Sequence, residues 1–162
     1  TRRVLESYLT DIPDTDWGSD KSNIAIAMAA SNAIMFLLND EDEYENPHIL
    51  DIFDAGVNGQ DLLAIEVFPE GTSEYMNSTE RDATYEEILH FMHGFGIQLA
   101  LPAMQNAIES ATLNAINNDV YNPLSDLPED DFDEEYLAMG LECYFGLWAH
   151  DPNGDGFCGD QQ

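Results

Sequence analysis

The sequence predicts a single α+β domain that is mostly helical and contains a small sheet. Several segments carry apolar residues at helical spacing, and one short segment is rich in Leu, Ile, Val and Phe. Hydrophobic residues make up 44% of the 162 residues, enough for a sizeable core and too many for a disordered acidic tail. We therefore expect one domain over residues 1–150, followed by an acidic, Gly/Asp-rich terminal loop over residues 151–162.

The first half of the chain is expected to alternate short elements with loops. Residues 3–9 fit either a short strand or a turn of helix. Residues 21–38 fit one helix that is apolar nearly all round and therefore buried. A short helix is expected over residues 48–55, a strand over residues 61–69, and a loop or extended edge over residues 71–77.

Three helices are expected in the second half. Residues 84–97 (TYEEILHFMHGFGI) fit a helix that Gly94 and Gly96 would end. A long alanine-containing helix follows over residues 99–118, and an amphipathic one over residues 131–148.

The helix over residues 84–97 carries side chains suited to metal binding on one face. Glu86 and His90 are four residues apart, and His90 and His93 are three apart, so at 3.6 residues per turn all three share a face. Neutral imidazole nitrogens and carboxylate oxygens suit zinc and its neighbours. The spacing therefore predicts a metal site, with His93 as an extra ligand or a support for the others.

This segment resembles the metal-binding helix of zincin metallopeptidases, whose usual pattern is His-Glu-x-x-His. By this resemblance Glu87 is the general base, His90 is a metal ligand, and Glu86 replaces the first histidine. The later stretch EYLA, residues 135–138, resembles the third-ligand motif of lethal-factor-type zincins, which implies that Glu135 is the third ligand. Over about residues 83–148, the resemblance implies a zincin-like domain with Zn at this helix.

The replacement at Glu86 implies weak or no peptidase activity, because three carboxylates with one imidazole favour calcium or manganese more, and zinc less, than the usual set. The expected partner is a protein or peptide. The alternative is a non-catalytic structural or interaction protein of an extracellular assembly, acidic and calcium-binding, that keeps the fold.

A purely structural interpretation of the same helix stays open. Glu86 and Glu87 would then be an exposed first turn, which is favourable at a helix N-terminus. Thr84 and Glu87 also have the spacing of a capping box. His90 and His93 would be ordinary, partly buried histidines hydrogen-bonded to carboxylates.

The charge of the chain excludes several classes of partner. Four Lys and Arg stand against 33 Asp and Glu, a net charge of −29. Such a surface repels nucleic acid and anionic membranes and suits a saline environment that screens the repulsion. The sequence contains no run of 18 apolar residues, so no membrane insertion is predicted. Neither a Gly-x-Ser-x-Gly elbow nor a phosphate-binding loop occurs. Because the chain begins at Thr1, we expect a processed or trimmed fragment.

The two cysteines, Cys143 and Cys158, fit one disulfide and an oxidising compartment, which indicates a secreted or cell-surface protein. Two free thiols are the alternative.

The terminal loop carries hard oxygen ligands at alternate positions: Asp151, Asn153 and Asp155, with Asp160 further on. This pattern resembles the first half of a calcium-binding loop, although no glutamate stands at loop position twelve. Calcium binding and a plain Asn/Gly/Asp turn both remain open.

Overall fold

Helices make up most of the structure, together with one small parallel sheet. The computed structural model describes residues 1–19, 21–69, 71–77 and 82–147. Within these ranges the elements are α1 (Arg2–Tyr8), α2 (Ser22–Ala30), β1 (Ile34–Leu38), α3 (Pro47–Asp54), β2 (Gly59–Leu63), α4 (Ser73–Met76), α5 (Thr84–Met92), α6 (Gln98–Ala100), α7 (Pro102–Asn117) and α8 (Phe132–Phe145). The α+β, mostly helical class is confirmed, and the zincin-like assignment stays a prediction.

The predicted helix over residues 21–38 is wrong in its second half. Helix α2 ends at Ala30, Asn32 adopts a left-handed backbone with φ 53°, and β1 begins at Ile34. Asn tolerates this conformation better than most residues, so it can end a helix abruptly. Strand β1 pairs in parallel with β2, from Ile34 opposite Gly59 to Leu38 opposite Leu63. A short apolar run fits a buried parallel strand and a buried helix equally well, which explains the error.

Two further segments of the first half differ from expectation. The strand predicted over residues 61–69 begins at Gly59 and ends at Leu63, where a 3₁₀ turn, Ala64–Glu66, follows. The segment expected as a loop over residues 71–77 contains α4, whose first turn is capped when Thr72 Oγ1 accepts a hydrogen bond from the Tyr75 N–H at 3.4 Å. Residues 3–9, left open between strand and helix, form α1.

Helix α5 lies at the centre of the domain and packs against α1, α8 and β2. The main core contains buried side chains from four helices and the turn after α5: Ile24, Met28, Leu89, Phe91, Met92, Ile97, Ile108 and Ala138. A smaller cluster, built on Phe36, Leu38 and Leu63, lies under the sheet. Because α5 packs on several sides, the side chains that it carries are held in fixed positions.

The helix does not stop at Gly94 and Gly96, as predicted, but continues through a π-helical turn, His93–Ile97, into α6. Gly96 has a packing reason to lack a side chain. A Cβ there would lie 2.5 Å from Ile24 Cγ2 and 3.0 Å from Met28 Cγ. The close approach of α2 therefore uses the second glycine as a contact surface and not as a helix stop.

The predictions for the C-terminal segment fall outside the described residues. Cys143 lies on α8, but Cys158 and the candidate calcium ligands Asp151, Asn153, Asp155 and Asp160 do not belong to the described ranges. The disulfide and the calcium site stay predictions. None of the helices described is both long and apolar enough to cross a membrane.

Candidate metal centre

Helices α5 and α8 bring Glu86, His90 and Glu135 together. Each offers one ligand atom, and the three atoms all lie within 4.8 Å of one another. His90 Nε2 lies 3.9 Å from Glu135 Oε1. Glu86 and His90 are each only 6% exposed, so the interpretation of Glu86 as part of an exposed first turn is wrong. The structure thus joins two distant parts of the sequence in one cluster.

Local sequence explains how each helix presents its ligand. On α5, the four-residue spacing stacks Glu86 and His90, while Ile88 and Leu89 pack in the interior at 1% and 2% exposure. On α8, Ala138 is 1% exposed and lies in the same core as Leu89, which fixes the orientation of the helix. Glu135 lies in the first turn of α8, where a carboxylate is favourable because of the helix dipole.

Glu87 lies beside the cluster and is held by the sheet. Gln60 Nε2 of β2 donates a hydrogen bond to Glu87 Oε2 at 2.7 Å, and the same oxygen lies 3.9 Å from His90 Nδ1. Burial raises the pKa of Glu87 to about 7; the Gln60 hydrogen bond lowers it, while the carboxylates of Asp61 and Glu135 raise it further. This places a carboxyl group of unusually low acidity next to the three candidate ligands.

The capping-box role for Glu87 is not adopted. Thr84 is the first residue of α5 and not its cap, and the Thr84 N–H donates to Asp82 Oδ1 at 3.0 Å. Glu87 instead hydrogen bonds to a strand 27 positions away in sequence. Its position is therefore set by tertiary packing.

His93 belongs to a second, separate network on the same side of the domain. It is 0% exposed, and its Nε2 lies 2.7 Å from Gln105 Oε1 of α7. Its Nδ1 lies 3.5 Å from Glu134 Oε2, and its Nε2 lies 3.8 Å from Asp133 Oδ2. Gln105 in turn donates hydrogen bonds to Asp133 and, at 3.0 Å, to Glu109. The structure thus links His93 to α7 and to α8 residues other than Glu135.

The environment of His93 favours its protonated form. Burial alone would lower its pKa, but the hydrogen bonds to Glu134 and Gln105, together with the charges of Asp133 and Glu134, raise it above the ordinary value. In the imidazolium form both ring nitrogens donate, which matches a carboxylate at Nδ1 and an amide oxygen at Nε2. His93 therefore fits the alternative of a structural histidine that is hydrogen-bonded to a carboxylate.

Sequence reasoning missed the residues that support the site. Gln60 holds Glu87, and Gln105 holds His93. Next to Gln60, Asp61 accepts a short hydrogen bond from the Tyr44 hydroxyl. Burial is the main cause that raises the pKa of Tyr44, and this hydrogen bond raises it further. The neutral amides match no metal or catalytic motif, and their roles depend on strand and helix positions that only the fold sets.

The donor set suits a divalent cation in its chemistry, and its atoms lie somewhat further apart than ligand atoms around a bound ion. Two carboxylates and one imidazole provide three protein ligands, the number found in sites that keep an open position. Two ligand atoms on tetrahedral zinc are about 3.3 Å apart, given metal–ligand distances of about 2.0–2.1 Å. The 3.9 Å between His90 Nε2 and Glu135 Oε1 is somewhat wider. Closing this gap requires a rotation of the Glu135 side chain, which is 34% exposed and so is not packed on every side.

The chain was also compared with known proteins. It matches no protein-family model, no curated protein and no solved structure. The resemblance to zincins therefore depends on the residues quoted above and on the geometry of the cluster.

Proposed function

We propose that Glu86, His90 and Glu135 bind one divalent cation, and that the domain is a metallopeptidase-like protein with weak or no peptidase activity. The observation that carries the proposal is the convergence of the three ligand atoms within 4.8 Å of one another from two helices. The three residues come from parts of the sequence 45 positions apart, from His90 to Glu135, and two of them, Glu86 and His90, are buried. The burial of Glu86 supports the proposal, because a buried carboxylate is favoured by an ion beside it.

The ligand set decides which cations are expected. Zinc accepts imidazole and carboxylate ligands, whereas manganese and calcium favour sites richer in oxygen. With Glu86 in place of a histidine, the cluster has one nitrogen and at least two oxygen donors, so the preference for zinc over manganese should be smaller than in a two-histidine site.

We infer that Glu87 would act as the proton acceptor for a water molecule at the site. Its carboxylate lies beside His90, and Gln60 fixes its orientation with a 2.7 Å hydrogen bond. A bound divalent cation would supply Lewis acidity, lowering the pKa of water and polarising a carbonyl group. Because a more anionic ligand set donates more charge to the metal, this acidification is weakened and peptide cleavage is expected to be slow.

The test is calorimetric titration of the metal-stripped protein with zinc, manganese and calcium at high salt, which screens the acidic surface. The wild-type protein should bind one cation tightly. Glu135→Gln should lower the affinity of this site at least about tenfold, on the order of 1.4 kcal/mol. Glu129→Gln is the matched control, because it removes an exposed carboxylate just before α8. Equal affinities for the wild type and Glu135→Gln would contradict the site.

The catalytic half of the proposal has its own readout. A general peptidase assay with zinc or manganese should show little cleavage by the wild-type protein. Robust cleavage that Glu87→Gln abolishes would overturn the weak-activity statement while leaving the metal site intact.

A further inference from the structure

A large apolar cavity borders a different face of α5 from the one that carries Glu86 and His90. Its volume is about 820 Å³, within the range of about 300–1,000 Å³ that is typical of small-molecule sites. Helix α5 contributes Tyr85, Leu89 and Met92, which are spaced three and four apart and therefore share one face. The cavity is thus distinct from the metal cluster, although both use α5 and α8.

The interior wall of the cavity is apolar. Leu137 and Leu141 of α8 and Met104 of α7 line it together with Leu89 and Met92 of α5. An apolar ligand there would remove its own surface and the exposed part of the lining from water, which is the main source of affinity at such sites. Methionine side chains also adapt to differently shaped ligands.

Several polar groups lie at the loop between α1 and α2, where Thr15, Asp16 and Lys21 contribute to the lining and Trp17 is 42% exposed. Ser7 and Tyr8 of α1 and Tyr85 of α5 also line the cavity. Asp11 also lies next to Lys21, because its Oδ1 accepts a hydrogen bond from the Lys21 N–H at 2.9 Å. Burial lowers the pKa of Lys21, so this ammonium group is already in a partly desolvated position. The lining at this loop therefore contains both a hydrogen-bond donor and an acceptor.

The charge of the whole chain restricts what enters. With a net charge of −29, the protein repels anionic ligands over the range that salt does not screen. The one lysine of the lining, which lies next to Asp11, does not compensate for this field. An uncharged molecule avoids the repulsion and still uses the hydrogen-bonding groups of the loop.

We propose that this cavity binds one uncharged long-chain aliphatic molecule with a hydroxyl end, its chain packed against Leu89, Met92 and Leu137 and its hydroxyl directed towards Asp16 and Lys21. The site is independent of the proposed metal function.

The test uses the uncharged fluorescent probe N-phenyl-1-naphthylamine with the wild-type protein, and then displaces it with alcohols. The probe should bind saturably at one site per chain. The affinity of 1-decanol, measured by displacement of the probe, should be about fifteenfold higher than that of 1-octanol, since each buried methylene raises the affinity about fourfold. Decanoate should bind at least about tenfold more weakly than 1-decanol, because its carboxylate meets the repulsion of the acidic chain.

Two substitutions on the same helix locate the site. Met104→Trp should fill the cavity and weaken binding at least about tenfold, since overpacking removes space that the ligand needs. Leu113→Trp is the matched control, because Leu113 lies on α7 but is 61% exposed and is not a lining residue. Both variants are checked for folding by circular dichroism.

Methyl NMR of the wild-type protein provides a readout that needs no variant. Addition of 1-decanol should shift the methyl signals of Met92 and Met104 and leave that of the exposed Met76 unchanged. Absence of saturable probe binding, unchanged signals of Met92 and Met104, or equal affinity in a folded Met104→Trp protein would each overturn the proposal. Tighter saturable binding of decanoate or of decyltrimethylammonium than of 1-decanol would refute the uncharged ligand class.

Discussion

Replacing His93 with alanine should destabilise the domain by about 3 kcal/mol near pH 6. Breaking a buried ion pair by removing one partner costs roughly 3–5 kcal/mol. His93 is 0% exposed, whereas the side chains of Asp133 and Glu134 keep 12% and 25% exposure. Partial solvation of the two remaining carboxylates puts the expected loss at the low end of the range. For a chain of this size, the corresponding fall in Tm is roughly 6–12 °C.

The loss should depend on pH, with a definite sign. Burial of His93 lowers its pKa, but the contacts with Glu134, Gln105 and Asp133 outweigh burial, so the folded pKa is raised. Stabilisation from such a group is fully present below the unfolded pKa of about 6.5 and disappears as the pH rises through the folded value. The stability difference between wild type and His93→Ala should therefore be largest near pH 6 and shrink on the alkaline side.

Urea unfolding followed by circular dichroism, with chelator present and the pH varied from about 6 to about 8.5, measures this difference. His48→Ala is the control, because His48 is exposed on α3 and its removal should stay within about 0.5 kcal/mol. A stability difference for His93→Ala that does not change with pH would refute the assignment of a buried imidazolium. A loss below about 1 kcal/mol would refute the importance of the network.

Two further predictions concern the helix that carries the site. Glu86→His should increase zinc affinity measured by titration, because it restores the two-histidine, one-carboxylate set found in catalytic zinc sites; an unchanged or lower affinity would undercut the alignment with the zincin motif. Gly96→Ala should destabilise the fold by about 1–3 kcal/mol in urea unfolding, because its new Cβ would lie 2.5 Å from Ile24 Cγ2. Gly94→Ala is its control and should stabilise by roughly 0.5–1 kcal/mol, since nothing lies within 4 Å of a Cβ there; equal effects of the two substitutions would contradict the packing described for Gly96.

The parts of the structure that local sequence determines could be predicted. Glu86 and His90 share a face because of helical spacing alone, and an amphipathic pattern located α8 around Glu135. The proximity of Glu135 to His90 followed from the family resemblance and agrees with the 3.9 Å separation. The metal itself and the catalytic role of Glu87 stay predictions.

The parts that depend on long-range pairing could not be predicted. Strand β1 was expected as helix because its partner β2 begins 21 residues after β1 ends, and the local pattern does not reveal a parallel pairing. Gln60 and Gln105 approach Glu87 and His93 only once that sheet and α7 are in place. Their amide side chains give no separate signal in the sequence.

The π-helical turn after α5 has a consequence for how the chain tolerates changes in length. A π turn takes one more residue than a regular α-helical turn, so it offsets the angular phase of the residues beyond it by about one helical step, roughly 100°. His90 lies before the turn and faces α8, while Gly96 lies near the end of the turn and meets α2. A single regular α-helix could therefore not direct His90 towards α8 and Gly96 towards α2 at the same time. Deleting one residue within His93–Ile97 would restore that continuous phase and rotate the Gly96 contact away from α2. Changes at an exposed position between α7 and α8, such as Asp126, would leave the phase untouched.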